Sequence, residues 1–304
     1  MFVTANRHRR TDGMRWGLEP ICRALQVSPA SVRSALRRPL APRRIADEVL
    51  KARIREIFDD NYQVYGCRKI RAVLAREDVH VDKDRVARLM RELGIRGASR
   101  ARKRFTTRPD PSHTRAPDRV KRDFTATGPN QLWVSDFTYC STWAAMAYVA
   151  FVIDVYSRMI VGWHIESHMR TDLVMHALEQ AIWRRDTRLA GLVAHSDAGS
   201  QYTSIRYTDR LCEIGALPSI GTVGDSYDNA MAESTIGLYK SELVWPKGPW
   251  RTIEQLELAT LVYIEWFNHR RLHGELGLNT PAEIEEQYYR HPRPETPVTT
   301  PTRT

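Results

Sequence analysis

Residues 132–137, Leu132-Trp133-Val134-Ser135-Asp136-Phe137, set one carboxylate inside an apolar and aromatic run. The composition predicts a buried strand over 131–140. Burying an unpartnered carboxylate there costs free energy, so Asp136 demands a cation or a strong hydrogen-bonding partner. Two further stretches of similar composition follow at 147–154 and 160–167, with Tyr156-Ser157-Arg158 as the short turn between them. Thr171 then caps a helix whose apolar residues Val174, Ala177, Leu178, Ala181 and Ile182 fall at i, i+3, i+4, i+7 and i+8. Short strands at 192–196 and near 217–220 and a helix over about 229–244 complete the pattern. Three consecutive strands followed by alternating helix and strand predict an α/β domain with a mixed sheet.

Phosphodiester chemistry on DNA asks a protein for little covalent help. It asks for two divalent cations clamping the attacking and leaving oxygens, held by a sparse set of acids from different elements. In open α/β sheets such ligands come from strand ends and helix starts. Asp136 meets that description, as do Asp197, directly after the strand at 192–196, and Glu233, early in the helix near 229. Lys240 lies seven positions beyond Glu233, about 10 Å further along the same helical face, within reach of a phosphate. Asp154, also at a strand end, is the rival acid and reads as structural or supporting. Asp225 and Asp228 read as helix caps, and His195 as a strand histidine satisfied by hydrogen bonds.

Charge is divided unevenly along the chain. Residues 1–125 hold 31 Lys and Arg against 15 Asp and Glu, whereas residues 126–304 hold 15 against 21. Concentrating the positive charge in one half favours a polyanionic partner, and nucleic acid before a membrane surface. Within the basic half, 19–26 and 29–38 read as two short helices, with Ser28 as cap and Pro29 at the first helical position. Ile54/Ile57/Phe58, Ile70/Val73/Leu74 and Val86/Leu89/Met90 share the i, i+3, i+4 spacing of three short helices around a small core, with Gly66 and Gly94 as punctuation. The outward positions carry Arg68, Lys69, Arg71, Arg85, Arg88 and Arg91, which are assigned to DNA contact. Residues 98–122 then hold nine Lys and Arg and two Asp, a basic linker whose densest cluster is Arg100, Arg102, Lys103 and Arg104.

Beyond the sheet, Thr252 and Gln255 form a capping box before a helix, and Thr280, Pro281 and Glu283 repeat the device. The last dozen residues, rich in Pro and Thr, read as disordered. The longest apolar stretch, 144–153, is too short to span a bilayer, and no secretory signal is visible. Cys22, Cys67, Cys140 and Cys212 show no C-x-x-C pair and no His spacing suited to zinc, the pattern of reduced thiols in a cytoplasmic protein.

Several ordered blocks resemble a known family. Trp133-Val134-Ser135-Asp136-Phe137-Thr138-Tyr139, His195-Ser196-Asp197-Ala198-Gly199-Ser200-Gln201-Tyr202 and Asp228-Asn229-Ala230-Met231-Ala232-Glu233-Ser234 are similar to the catalytic blocks of insertion-sequence transposases of the "IS-three" family, whose core resembles retroviral integrase. The 35 residues between Asp197 and Glu233, and Lys240 after them, match that family's interval and basic position. Phe267-Asn268-His269-Arg270-Arg271-Leu272-His273, with Leu276-Gly277 and Thr280 to Glu283, resembles its C-terminal block. Tyr65-Gly66 through Lys69-Ile70 and Arg85-Val86 through Leu93-Gly94 resemble its DNA-binding region.

The resemblance implies an RNase H-like core over 129–246, preceded by a helix-turn-helix-like segment (1–46), a three-helix DNA-binding domain (47–97) and the basic linker (98–128). A helical extension with a disordered tail (247–304) follows. It implies that Asp136, Asp197 and Glu233 are the catalytic acids and bind two Mg²⁺ or Mn²⁺ ions. The implied reaction is 3′-end cleavage of the element and strand transfer by transesterification, without a covalent protein–DNA intermediate. The implied partners are double-stranded DNA, both the terminal inverted repeats and the target, and further copies of the chain, at least a dimer, in a nucleoid-associated protein. Ser135 and Phe137 stand where the family more usually has Thr and Ile, and Phe267 where it has Tyr; none removes a metal ligand. The family's second reading frame is joined to an upstream frame by frameshifting, and this chain begins where the second frame would, so the upstream product is a further expected partner. Different-class alternatives are a catalytically silent or partner-dependent DNA-binding regulator, and an RNase H-like nuclease that does not join strands.

Overall fold

A computed structural model describes residues 2–37, 41–98, 125–185, 189–197, 199–221 and 230–290. The chain divides into two compact units, Met1–Arg55 and Glu56–Thr304.

The first unit opens with α1 (Phe2–Asn6) and a hairpin of β1 (Arg10–Thr11) and β2 (Met14–Arg15). The hairpin turns on Asp12-Gly13, both at positive φ (53° and 77°), the geometry a two-residue loop needs to match strand twist. Helices α2 (Leu18–Ala24) and α3 (Pro29–Arg37) follow where the caps place them, and Val3, Ile21 and Cys22 are buried against Trp16, Leu18 and Val32. Helix α4 (Pro42–Asp60) runs unbroken through residues 46 and 47, where the sequence reading set a boundary. Its buried stripe of Leu50, Ile54, Ile57 and Phe58 extends the expected triplet back by one turn, which carries the helix through that point.

In the second unit, α5 (Cys67–Arg76) starts from Gly66 and α6 (Lys83–Glu92) from Asp82. Ile70, Leu74, Val86, Leu89 and Met90 are buried as their spacing predicts. Five strands form the sheet: β3 (Leu132–Ser141), β4 (Met146–Asp154), β5 (Ile160–Glu166), β6 (Val193–Ser196) and β7 (Leu217–Ile220). They lie in the order β5-β4-β3-β6-β7, the first three antiparallel, with β6 and β7 parallel to β3. The mixed sheet is therefore as expected. Helices α7 (Thr171–Arg185) and α8 (Ile205–Glu213) cover one face, where Trp133, Ala150, Val152, Ala177, Ala181, Tyr207 and Leu211 share one core. The helix α8 was not foreseen; Ser204 caps it, accepting from the Tyr207 amide.

The other face carries α9 (Ala230–Tyr239), which continues as a π-helical turn over Lys240–Val244 and a single turn, α10 (Trp245–Lys247). With it packs α11 (Ile253–His269): Phe151 of β4, Tyr239 and Tyr263 stack edge to face at 5.1 and 5.5 Å. The Asn268 side chain bonds both the amide and the carbonyl of Ile160. Helix α12 (Pro281–Arg290) closes the unit. The Thr280–Glu283 box is complete, each side chain bonding the other's backbone amide, whereas Thr252 accepts from the Gln255 amide while the Gln255 side chain accepts from the Arg251 amide instead of that of Thr252.

Helices α5 and α6 share their unit with the sheet. An aromatic layer of Tyr62, Tyr65, Tyr263 and Trp266 joins the end of α4 to α11, with Trp266 Nε1 donating to Asn61 Oδ1 at 3.0 Å. Arg76 of α5 pairs with Glu283 of α12 at 2.8 Å. Among the described residues no helix is long and apolar enough to cross a membrane, and the four cysteines are free thiols.

One close approach sets the α7 face. A Cβ on Gly162 of β5 would sit 2.1 Å from the Ala177 carbonyl oxygen and 2.8 Å from the Ala181 side chain. Gly162→Ala must push α7 away from the sheet. The expected loss is about 1–3 kcal/mol, the scale of overpacking a core, checked as a lowered midpoint in urea unfolding.

Candidate active site

The pairing of β3 with β6 brings two acids side by side. The parallel register places Ser135 opposite Ser196, and the residues that follow are Asp136 and Asp197, on strands about 4.8 Å apart. Asp136 opposes Phe151 of β4, so its side chain points to the face covered by α9. Asp197 lies just past the end of β6, where the Gly199 amide donates to its Oδ1 at 3.1 Å. A Cβ on Gly199 would come within 3.0 Å of that same oxygen. Glycine therefore lets the loop turn this tightly without displacing the carboxylate.

Glu233 projects from the first turn of α9, the helix packed on β3, where the dipole favours an acid. Lys240 starts the π-helical turn, its Nζ 4.8 Å from the centroid of the Tyr139 ring. The electrostatics tie the four residues together. The Asp136 carboxyl is pushed up to about 8, by burial first and then by Asp197 and Glu233, against the Phe137 amide and Lys240. Burial also raises Asp197, against the Gly199 amide and His195. Three acids from two strands and a helix thus share one electrostatic field, with a single ammonium beside them. Carboxylate oxygens are hard donors, the kind that a hard divalent cation takes.

The other sequence-derived candidates are distributed differently. Asp154 is fully buried and committed elsewhere: it accepts from the amides of Asn130, Tyr156 and Ser157 at 2.7, 3.0 and 3.1 Å. Ser157 Oγ and the Arg185 guanidinium both bond Glu285 of α12, at 2.6 Å and 2.5–2.6 Å. That network clamps the β4–β5 turn to α7 and α12, a structural role. His195 is buried with Nδ1 2.9 Å from Ser219 Oγ, as expected of a satisfied strand histidine.

On the helices, Arg68, Arg71 and Arg91 are exposed, while Arg85 and Arg88 are half-buried, the latter paired with Glu92 at 2.5 Å. Lys69 corrects the outward position assigned to it. It is half-buried, its Nζ 5.0 Å from the Tyr65 ring centroid. Burial and then Arg271 lower its ammonium to about 8, against the pull of Glu242. The reason lies in its partners: Arg271 and Glu242 form a buried bidentate pair at 2.6 and 2.9 Å, to which Tyr263 also donates. Lys69 lies beside this centre, where Glu242 favours its charge and Arg271 opposes it. Arg100, Arg102, Lys103 and Arg104, the caps assigned to Asp225 and Asp228, the helix start at Asn229 and the tail 291–304 lie outside the described residues.

Sequence reasoning left Tyr202 unassigned. Its hydroxyl is buried with no hydrogen-bond partner among the described residues, and burial, then Asp136, Tyr207 and Asp197, raise it well above the usual phenol range. Its signal was present, a tyrosine five residues after Asp197 in the same block, but only the loop's return across the sheet end brings it to the acids.

Two models described as "Integrase core domain" match residues 126–226 and 215–281, and one described as "HTH-like domain" matches residues 44–104. The "Putative transposase for insertion sequence element IS986/IS6110" of Mycobacterium tuberculosis is 47% identical over 269 residues, covering 87% of this chain and 97% of that protein. The "Transposase for insertion sequence element IS629" of Shigella sonnei is 46% identical over 280 residues, covering 90% and 93%. Among solved structures, a chain of a simian T-cell lymphotropic virus intasome aligns at 17% identity with a TM-score of 0.48, covering 64% of this chain and 67% of that one. The chain belongs to the insertion-sequence transposases, within the IS-three family, and joins an HTH-like domain to an integrase core of RNase H-like fold.

Proposed function

We propose that this transposase cuts and joins DNA at the ends of its element, with Asp136, Asp197 and Glu233 as the catalytic acids. The observation that carries the reading is the register that sets Asp136 beside Asp197, with Glu233 on the helix packed against the same strand. When bound, a pair of Mg²⁺ or Mn²⁺ ions supplies activation of the attacking oxygen and neutralises charge on the phosphoryl oxygens. The chain's contribution is to position. Asp136 comes from a central strand and cannot move without the sheet. Asp197 is fixed by the Gly199 amide, and Glu233 stands on a helix packed on that strand. Lys240, aligned over Tyr139, is placed to hold a phosphate of the scissile strand.

The chemistry is two successive displacements at phosphorus. Water attacks a phosphodiester at the element end, the P–O3′ bond breaks, and a 3′-hydroxyl is freed. That hydroxyl then attacks a target phosphodiester, forming a new P–O3′ bond as the target's own 3′-oxygen leaves. No protein atom becomes bonded to DNA. Arg68, Arg85, Arg88 and the cluster Arg100, Arg102, Lys103 and Arg104 bind the duplex, at the terminal repeats and along the target. Two ends joined in one event call for at least two copies of the chain on DNA, and the upstream-frame product of the same element is a further partner in the nucleoid.

Asp197→Asn is expected to lower strand transfer by at least about 100-fold, the scale of losing one fixed electrostatic contributor to a transition state. Gel-shift affinity for the element end stays unchanged. Undiminished joining by that variant would refute the site. Cleaved but never joined product from the parent protein would identify a nuclease instead, and tight binding without cleavage, even with the upstream product present, a regulator.

The raised Asp136 carboxyl makes a second prediction. Its folded value, about 8, lies above the ordinary 3.8. Without cations the folded state holds a proton that the unfolded chain has lost, so stability falls as pH rises from about 4 to 8 and is flat above. Asp136→Asn removes that fall. Its melting temperature in EDTA should exceed the parent's by about 2–6 °C at pH 8.5, with the gap closing towards pH 4.5. Mg²⁺ should raise the parent's melting temperature and leave the variant's nearly unmoved; calorimetry reads both, and a variant melting below the parent at pH 8.5 would contradict the assignment.

A further inference from the structure

On the opposite face of the sheet from the acids, three side chains converge in an arrangement that hydrogen bonding does not explain. His164 and Glu166 alternate on β5 and so share a face, the one that Gly162 presents to α7. Gly162 lets α7 approach closely, and His176, next to the Ala177 whose carbonyl meets that glycine, is brought against them. His164 Nε2 lies 3.0 Å from Glu166 Oε1, His176 Nδ1 lies 3.5 Å from the same oxygen, and the two ring nitrogens are 3.1 Å apart. His168 sits at the rim with Nε2 3.6 Å from Glu166 Oε2.

With Glu166 as a carboxylate, hydrogens on the two rings cannot satisfy all three edges of this triangle. Each ring nitrogen carries either one hydrogen or one lone pair. If both donate to the carboxylate, two N–H groups face each other across 3.1 Å. If one accepts from the other ring, its lone pair is turned on the carboxylate oxygen. Every assignment leaves one edge repulsive. A cation removes the conflict because it needs three lone pairs pointing at one centre. A tetrahedral ion with bonds of about 2.0–2.1 Å spaces its ligands about 3.3 Å apart, and the three edges here are 3.0, 3.1 and 3.5 Å.

We propose that His164, Glu166 and His176 form a binding site for one Zn²⁺ ion, with His168 within reach as a fourth ligand. Two or three imidazoles and a single carboxylate select zinc and its neighbours over magnesium, which favours oxygen donors. The site is thus distinct from the acid trio in position and in the ion it takes. Because its ligands come from β5 and α7, the ion clasps the helix to the edge of the sheet. All the side chains named are partly open to solvent, so the ion enters without unfolding.

The test uses the full chain carrying Asp136→Asn, to disable the acid site, stripped with chelator and titrated with Zn²⁺ in excess Mg²⁺ by calorimetry. One equivalent is expected to bind and to raise the melting temperature. His164→Ala and His176→Ala should each weaken that equivalent by at least about tenfold, since the loss of mere supporting contacts to a metal site already costs that much. Glu166→Gln, which keeps the shape, should weaken it too. Co²⁺ in place of Zn²⁺ should give the intense visible bands of a low-coordinate site, absent in His176→Ala. Zinc affinity and stoichiometry unchanged in His164→Ala and His176→Ala would overturn the proposal, as would a parent protein that takes up no zinc.

Discussion

Everything at the candidate active site depends on one register, the parallel alignment of β6 with β3 that sets Ser135 against Ser196. Strand pairing is quantised by the two-residue side-chain period, so a slip of one residue would turn Asp136 to the opposite face and leave Asp197 without a neighbour. The register is held from both sides. Trp133 and Ala194 share the core beneath α7 and α8, and Phe151, across from Asp136, is stacked on Tyr239. Two unlike-charged environments are thereby fixed on one sheet: a packed hydrocarbon core beneath, and a carboxylate cluster above.

Among the described residues, the carboxylates that hold elements together differ from Asp136 in how fully fixed donors meet them. Asp154 receives three backbone amides, while Glu242 and Glu285 are each paired in bidentate fashion with an arginine. For these, the loss of hydration is met by fixed donors, and their work is to bind elements together. Asp136 receives a single local amide and faces two other acids. That imbalance is what the proposed function would have a bound cation relieve.

Most of this was legible from periodicity. The strands, α7, the caps of α11 and α12 and the triplets of α4 to α6 follow from apolar spacing and cap chemistry, which are local signals. The three acids were legible because each follows or interrupts a strongly patterned segment. What escaped notice had weak or ambiguous local signals. Helix α8 lies in a short segment between two small strands, and the Asp12-Gly13 hairpin has strands of two residues each, too short to alternate. Lys69 read as an outward charge because its helix face is basic. The fold alone shows what it lies against, the Tyr65 ring and the distant Glu242–Arg271 pair.

The histidine cluster marks the limit of spacing rules most clearly. Zinc spacing rules look for pairs two to five residues apart, and His164 and Glu166 are separated by alternation on a strand, with His168 just past its end, rather than by a helical turn or a knuckle. Alternation alone is ambiguous, since any polar strand edge displays it. What converts it to a site is His176, ten residues past Glu166 and on another element, delivered there because residue 162 has no side chain. A missing methyl group therefore decides whether three donors meet. No pattern of donors along the chain records that, whereas the approach distance between helix and strand does.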